Sequence, residues 1–280
     1  MIKILLPTDF SENAWNATEY GLRLFEREPC TFYLVNTYTP AIVHSRFMAT
    51  TVNGGLLEDN VRNRSVSGLE NVVEQIKSKD IGSKHQFKTI SSFSLLTEEI
   101  REVVETEKID LIITGTKGAS GFEEVFMGSN SVRIIKSSSK CPVLTIPNEF
   151  EYRLPGTIAF ATDFKRSFSP RILAPLKQLA DRFESAIQIV HIQQQEELDA
   201  FQKSNRDILL DYFAPIRTTL KSLPYFSSKS DVLQHYLVEH NVDMLSMVLH
   251  RHGFLEELVR EPVIKRLAFH TKIPLLVLPE

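Results

Sequence analysis

The chain repeats itself, and that restricts its fold more than any other feature. Residues 2–10 read IKILLPTDF and residues 157–164 read TIAFATDF, each an apolar run ending in Thr-Asp-Phe. Residues 141–147, CPVLTIP, are matched by 273–279, IPLLVLP, each with a lysine just before it (Lys140 and Lys272). Residues 109–113, IDLII, are matched by 242–246, VDMLS. The matches come in the same order in both halves. A repeat on this scale is one unit used twice. Units are expected at 1–147 and 156–280, joined by a polar linker at 148–155 that ends on Pro155 before Gly156.

Each unit alternates short apolar runs with helical patterns. In the first, strands are expected at 2–6, 31–36, 85–90, 110–114 and 143–146. In the second they are expected at 158–161, 187–191, 223–226, 244–248 and 275–278. Between the first unit's strands, Ala14, Ala17, Gly21, Leu24 and Phe25 share one helical face. Leu69, Val72, Val73 and Ile76 share another, and Ile100, Val103 and Val104 a third. Ser169-Pro170 suits an N-cap followed by a first helical turn. Strand–helix alternation predicts an α/β fold, a parallel sheet covered by helices on both faces in each unit. The second unit is shorter, mainly because the first carries residues 39–55 after its second strand. That stretch reads either as a flap or as a tolerated surface insertion.

The bulk numbers exclude several classes. A length of 280 residues suits two domains of roughly 100–200 residues each. The formal net charge of −3 gives no global attraction to nucleic acid or to acidic membranes. No apolar stretch approaches the ~20 residues needed to span a bilayer. The N-terminal run lacks a signal-peptide layout, since Asp9 follows it at once. The two cysteines, Cys30 and Cys141, make no disulfide framework and read as small buried residues. A cytoplasmic protein is expected.

The segment GTKGASGFEEVFMGSNS, residues 115–131, follows the fourth strand and carries four glycines. In doubly wound sheets, ligands sit outside the carboxyl ends of the strands where strand order reverses. If the order is 3-2-1-4-5, Asp9 after the first strand and Gly115 after the fourth face one crevice. Gly115 and Gly118 can take positive φ and let backbone approach a ligand, and successive N–H groups in such a turn make an anion-binding concavity. Gly128-Ser129 precedes a helix expected at about 130–136, whose N-terminus favours phosphate. Ser129 and Ser131 add hydroxyls. Equally, Ser129 could serve only as an N-cap, and Asp9 could cap the first helix together with Ser11.

The spacing Gly115-x2-Gly118-x9-Gly128-Ser129 resembles the ATP-binding signature of the universal stress protein family. PTDFS at 7–11 and CPV at 141–143 are also similar to that family. Because the second half repeats the outline, the whole chain resembles two such domains in tandem. The resemblance implies a doubly wound, five-stranded parallel sheet in order 3-2-1-4-5 for each domain. It implies a site for ATP or a related adenine nucleotide, with or without magnesium. Asp9, beside Pro7, would meet the adenosine part and backbone at Thr37 the adenine. Gly115, Gly118, Gly128 and Ser129 would hold the phosphates, with Ser131 one turn on. Lys117 either adds a charge for phosphate or is a surface lysine without a role.

Members of the family that lack the glycines tend not to bind ATP. Counting back from Lys272, Gly115 falls at Met247, Gly118 at His250, Gly128 at Arg260 and Ser129 at Glu261. A shift by one puts Val248 and Arg251 in the first two places. Pro262 removes an N–H there, and the Glu261 carboxylate would repel a phosphate. The second half is therefore expected not to bind nucleotide in the family manner, and to act as a pseudo-dimer partner through the last strands of the two units. A homodimer is a further possibility. His250 and His252 lack a convincing further metal ligand, and no metal site is expected.

No catalytic set is present: there is no GxSxG, HExxH or GxGxxG. A nucleotide-binding regulatory protein of a stress response, with an unknown protein partner and at most weak ATP hydrolysis, is expected. The alternatives are an interaction scaffold with an empty or vestigial site, and a slow ATPase.

Overall fold

The computed structural model describes residues 1–38, 54–116, 129–138, 140–193, 197–249 and 272–280, with backbone alone at 54–58 and 129. The first half runs β1 (Ile2–Pro7), α1 (Glu12–Leu24), β2 (Cys30–Thr37), α2 (Gly54–Ser78), β3 (Gln86–Ser92), α3 (Leu96–Glu107), β4 (Leu111–Gly115), α4 (Ser129–Ser137) and β5 (Val143–Ile146). The second runs β6 (Thr157–Ala161), α5 (Pro170–Phe183), β7 (Ala186–Gln193), α6 (Ala200–Phe213), β8 (Thr218–Pro224), α7 (Lys229–Glu239), β9 (Met244–Leu249) and β10 (Leu275–Pro279).

The strands form one sheet in the order β3-β2-β1-β4-β5-β10-β9-β6-β7-β8. Within each half all pairings are parallel and the order is the doubly wound 3-2-1-4-5. The halves meet where β5 and β10 pair antiparallel, with Leu144 opposite Leu276. Alternate strand residues feed two cores. Ile4, Leu6 and Ile113 pack with α1 and α2, while Leu5 and Ile112 pack with α3 and α4. Near-continuous apolar strands of this kind follow from burial on both faces.

The register makes the repeat measurable. Lys3 N–H donates to Asp110 Oδ2 at 2.9 Å, and Thr157 N–H donates to Asp243 Oδ2 at 2.9 Å. Ile4 pairs with Leu111, and Ile158 pairs with Met244. Gly115 therefore corresponds to Val248, the one-residue shift of the simple count, and Met247 corresponds to Thr114.

Several sequence expectations shift. The third strand of the second half lies at Thr218–Pro224, not 223–226. As an edge strand it is only half covered, so its apolar positions are few. Pro224 ends it, since a proline cannot donate to the ladder. β3, the other edge, runs on to Ser92. Ser169 does occupy the N-cap of α5, but its side chain makes no cap bond. The expected linker is anchored: Phe150 is buried, and it and Tyr152 pack on Tyr20 of α1, with ring centroids 6.0 and 5.4 Å away. Both cysteines are buried and free. Residues 39–53, most of the expected flap, lie outside the described residues. No helix among the described residues is long and apolar enough to cross a membrane.

Candidate functional site

The carboxyl ends of β1, β2 and β4 assemble the described part of the site. After β1 the chain turns sharply at Thr-Asp-Phe. Thr8 Oγ1 accepts from Phe10 N–H at 3.1 Å, and Asp9 Oδ1 accepts from Ser11 N–H at 3.1 Å. Phe10 takes φ 65°, a region L residues seldom enter. Ser11 then caps α1 by accepting from Ala14 N–H at 3.2 Å. Pro7 is buried in the strand end and Asp9 is exposed at the mouth. Asn36, next to Thr37 at the end of β2, donates through Nδ2 to Thr8 O at 2.7 Å. It thus locks the turn that carries Asp9.

Gly115 ends β4 without positive φ. Its reason to be glycine is close approach. A Cβ there would lie 2.0 Å from Asn13 Oδ1 and 2.8 Å from Asn13 O. The first turn of α1 rests directly on it. Ser131 Oγ donates to Gly115 O at 2.7 Å and is buried, which ties the first turn of α4 to the end of β4. A hydroxyl has one hydrogen to give, so Ser131 supports the loop's two ends instead of donating to a ligand in this conformation.

Pro7, Asp9, Thr37, Gly115 and Ser131 thus lie at neighbouring strand ends, with Ser129 opening α4. Lys117, Gly118 and Gly128 fall outside the described residues, as do His250, His252, Arg260 and Glu261. Sequence reasoning missed Asn13 and Asn36. The signal for Asn36 was a polar residue at the end of an apolar strand in both halves. Its counterpart, His191, holds Thr162 O through Nδ1 at 3.0 Å.

The second half repeats the turn and binds its carbonyls more fully. Thr162 Oγ1 accepts from Phe164 N–H at 3.1 Å, and Asp163 Oδ1 accepts from Lys165 N–H at 2.9 Å. Here α6 reaches across. Gln202 Nε2 donates to Asp163 O and Asn205 Nδ2 to Phe164 O, both at 2.8 Å. Phe164 is 1% exposed against 37% for Phe10. Its ring lies 5.0 Å from that of His191, whose pKa is pushed down chiefly by burial. In the place of Gly115 stands Val248. Among the described residues no group of acidic, histidine or cysteine side chains could hold a metal.

The Universal stress protein family matches residues 1–147. Universal stress protein MJ0577 of Methanocaldococcus jannaschii is 30% identical over 154 residues, 51% of this chain and 93% of its own length. A universal stress protein from Archaeoglobus fulgidus DSM 4304 covers 99% of this chain and 97% of its own, with TM-score 0.64 at 18% identity, a likeness of fold. A universal stress protein solved in complex with cAMP covers 52% of this chain and 96% of its own, at 17% identity and TM-score 0.38.

Proposed function

We propose, because the chain belongs to the universal stress protein family, that it is a stress-response regulator which holds ATP in its N-terminal half only. The C-terminal half serves as a built-in partner and leaves its own mouth shut. In the N-terminal half Asp9 and Thr37 receive the adenosine end. Gly118, Gly128, Ser129 and the start of α4 receive the phosphates, with Lys117 beside them.

The observation that carries this reading is the contrast between two equivalent turns. Both halves keep Thr-Asp-Phe, so that triplet alone argues for no ligand. Only the first half leaves Asp9 exposed beside a strand ending in glycine. In the second, Asp163 is half-buried, Phe164 is buried, Gln202 and Asn205 bind the turn's carbonyls, and Val248 stands in the place of Gly115.

The test is to denature the purified chain and identify what it releases. ATP in a single copy per chain is expected, lost in Gly118→Arg and Gly128→Arg. No released nucleotide, and no thermal shift with millimolar Mg-ATP, would overturn the reading in favour of a scaffold. Turnover of ATP above background would make the protein an enzyme.

A further inference from the structure

Beyond Thr37, the carboxyl ends of β2 and β3 carry an exposed aromatic pair. Tyr38 N–H donates to Ser92 O at 3.0 Å, which extends the β2–β3 ladder one bond past the pairing of Thr37 with Ser92. The next residue on each strand is aromatic. The rings of Tyr38 and Phe93 lie with centroids 5.7 Å apart, tilted by 59°. Tyr38 is half-buried, whereas Phe93 is 50% exposed. Phe93 is nonetheless held in place. Ser92 Oγ and Ser94 Oγ, on either side of it, both donate to Glu99 Oε2, at 2.5 and 2.8 Å. Glu99 is itself buried in the first turn of α3. One buried carboxylate thus ties down both neighbours of Phe93 and leaves its ring in solvent beside Tyr38.

The second half lacks this arrangement. Lys3 is equivalent to Thr157, so the registers carry Thr31 onto Ala186, Thr37 onto Ile192 and Ser92 onto Leu223. Tyr38 and Phe93 therefore correspond to Gln193 and Pro224, which are partners in the β7–β8 ladder. Neither is aromatic. Leu223 and Tyr225 stand in the places of the two serines. Counted from the N-caps Leu95 and Ser228, Val232 stands in the place of Glu99. Phe226 comes later in the loop and sets its ring against His235 of α7, 6.2 Å away. The aromatic pair and its support are confined to the half that ends its fourth strand in glycine.

We infer that Phe93, backed by Tyr38, is the surface on which the base of the bound nucleotide stacks. The inference rests on the ATP site proposed for the first half. There the backbone at Thr37 meets the adenine, and Tyr38 and Phe93 are the next residues along the two paired strands. A base whose edge bonds to that backbone leaves its face to be covered, and a fixed apolar ring beside it supplies an offset stack. Stacking of this kind tolerates every base, because each has a π-face. Phe93 therefore adds affinity at the nucleoside end, while the choice of adenine stays with the hydrogen bonds at Thr37.

The test is calorimetric titration of the full chain, stripped of bound nucleotide, with Mg-ATP. Phe93→Ala is expected to weaken binding at least tenfold. Phe93→Leu, which keeps apolar bulk without a ring, should weaken it at least fivefold, and Phe93→Tyr should stay within twofold of the parent. All three should melt with the parent in the absence of nucleotide, since the replaced ring is half in water. Parent affinity in Phe93→Ala overturns the inference and leaves the ATP site standing. So does parent affinity in Phe93→Leu, or a loss in Phe93→Tyr as large as in Phe93→Ala, because either separates the effect from ring stacking. A parent chain that binds no Mg-ATP overturns the ATP site itself, a result distinct from all of these.

Discussion

In each half the threonine after the first strand accepts, through Oγ1, the N–H of a phenylalanine held at positive φ. The carbonyl of that threonine is then held by the end of the second strand, by Asn36 in one half and His191 in the other. The difference has a consequence, because only one of these residues titrates near neutrality. Burial holds the His191 imidazole below its ordinary value; Thr162 O and Asp163 act against that, while Lys165 and Lys229 add to it. His85 is shifted in the same direction by burial, opposed by the Leu22 backbone and Glu26 and aided by Lys84, with Phe32 and Phe87 around its ring. For both, the unfolded chain binds a proton with a pKa near 6.5 and the folded chain binds it less well, so unfolding takes up protons in acid. The stability they contribute is complete above about pH 6.5 and is lost as pH falls below it. Thermal melts between pH 7 and pH 5 should show the melting temperature falling. His191→Asn, which installs the first half's residue, should fall less over the same range. An identical drop in both proteins would show that His191 has no part in it.

At the scale of elements, α6 is the part that makes the halves unlike. Its N-terminus is a capping box: Asp199 Oδ1 accepts from Gln202 N–H at 2.7 Å, and Asp199 N–H donates to Gln202 Oε1 at 3.1 Å. The same glutamine gives Nε2 to Asp163 O. One residue therefore both starts the helix and pins it across the mouth. Gln202→Ala should cost about 1–2 kcal/mol, from one half of a capping box and one buried hydrogen bond. The neighbouring exposed Ser204→Ala should fall within about 0.5 kcal/mol of the parent. Urea unfolding of both variants measures the difference, and equal midpoints would remove Gln202 from this role. None of this was readable from periodicity. The faces of α1 and α3 could be read because apolar residues recur at 3.6, and the buried strands because they are apolar on both faces. α6 has buried polar residues, Gln202 and Asn205, on its inward side, so its pattern hides the face that matters. Pro175 lies inside α5, where local propensity disfavours it by about 3 kcal/mol; packing of Leu173, Leu176 and Ala180 against the sheet overrides that. Gly115 was singled out from the sequence for backbone freedom. What demands it is the side chain of Asn13, a contact between residues far apart in the chain that no local pattern carries.

For the whole molecule, the pairing of β5 with β10 places equivalent residues opposite one another. The registers that match Ile112 with Leu245 also match Leu144 with Leu276, and those two leucines are partners across the junction. The local twofold axis of the sheet thus passes beside a leucine pair that is fully buried. A sheet edge so apolar does not stay unpaired in water. If residues 1–155 are produced alone, β5 can meet a second β5 in the same antiparallel register, with Leu144 opposite Leu144, and no new geometry is needed. The piece is therefore expected to form a homodimer, with a mass by light scattering about twice that of one copy. Leu144→Lys would set two ammonium groups against each other at the axis and should return it to a monomer. In the intact chain the same substitution meets Leu276 instead, so it buries one unpaired charge and should lower the melting temperature without changing the mass. A monomeric 1–155 piece that is folded by circular dichroism would show that β10 is not simply standing in for a second β5. It would place the specificity of the junction in contacts that only the second half supplies, such as Phe183 against Phe25 and Arg182 with Glu28.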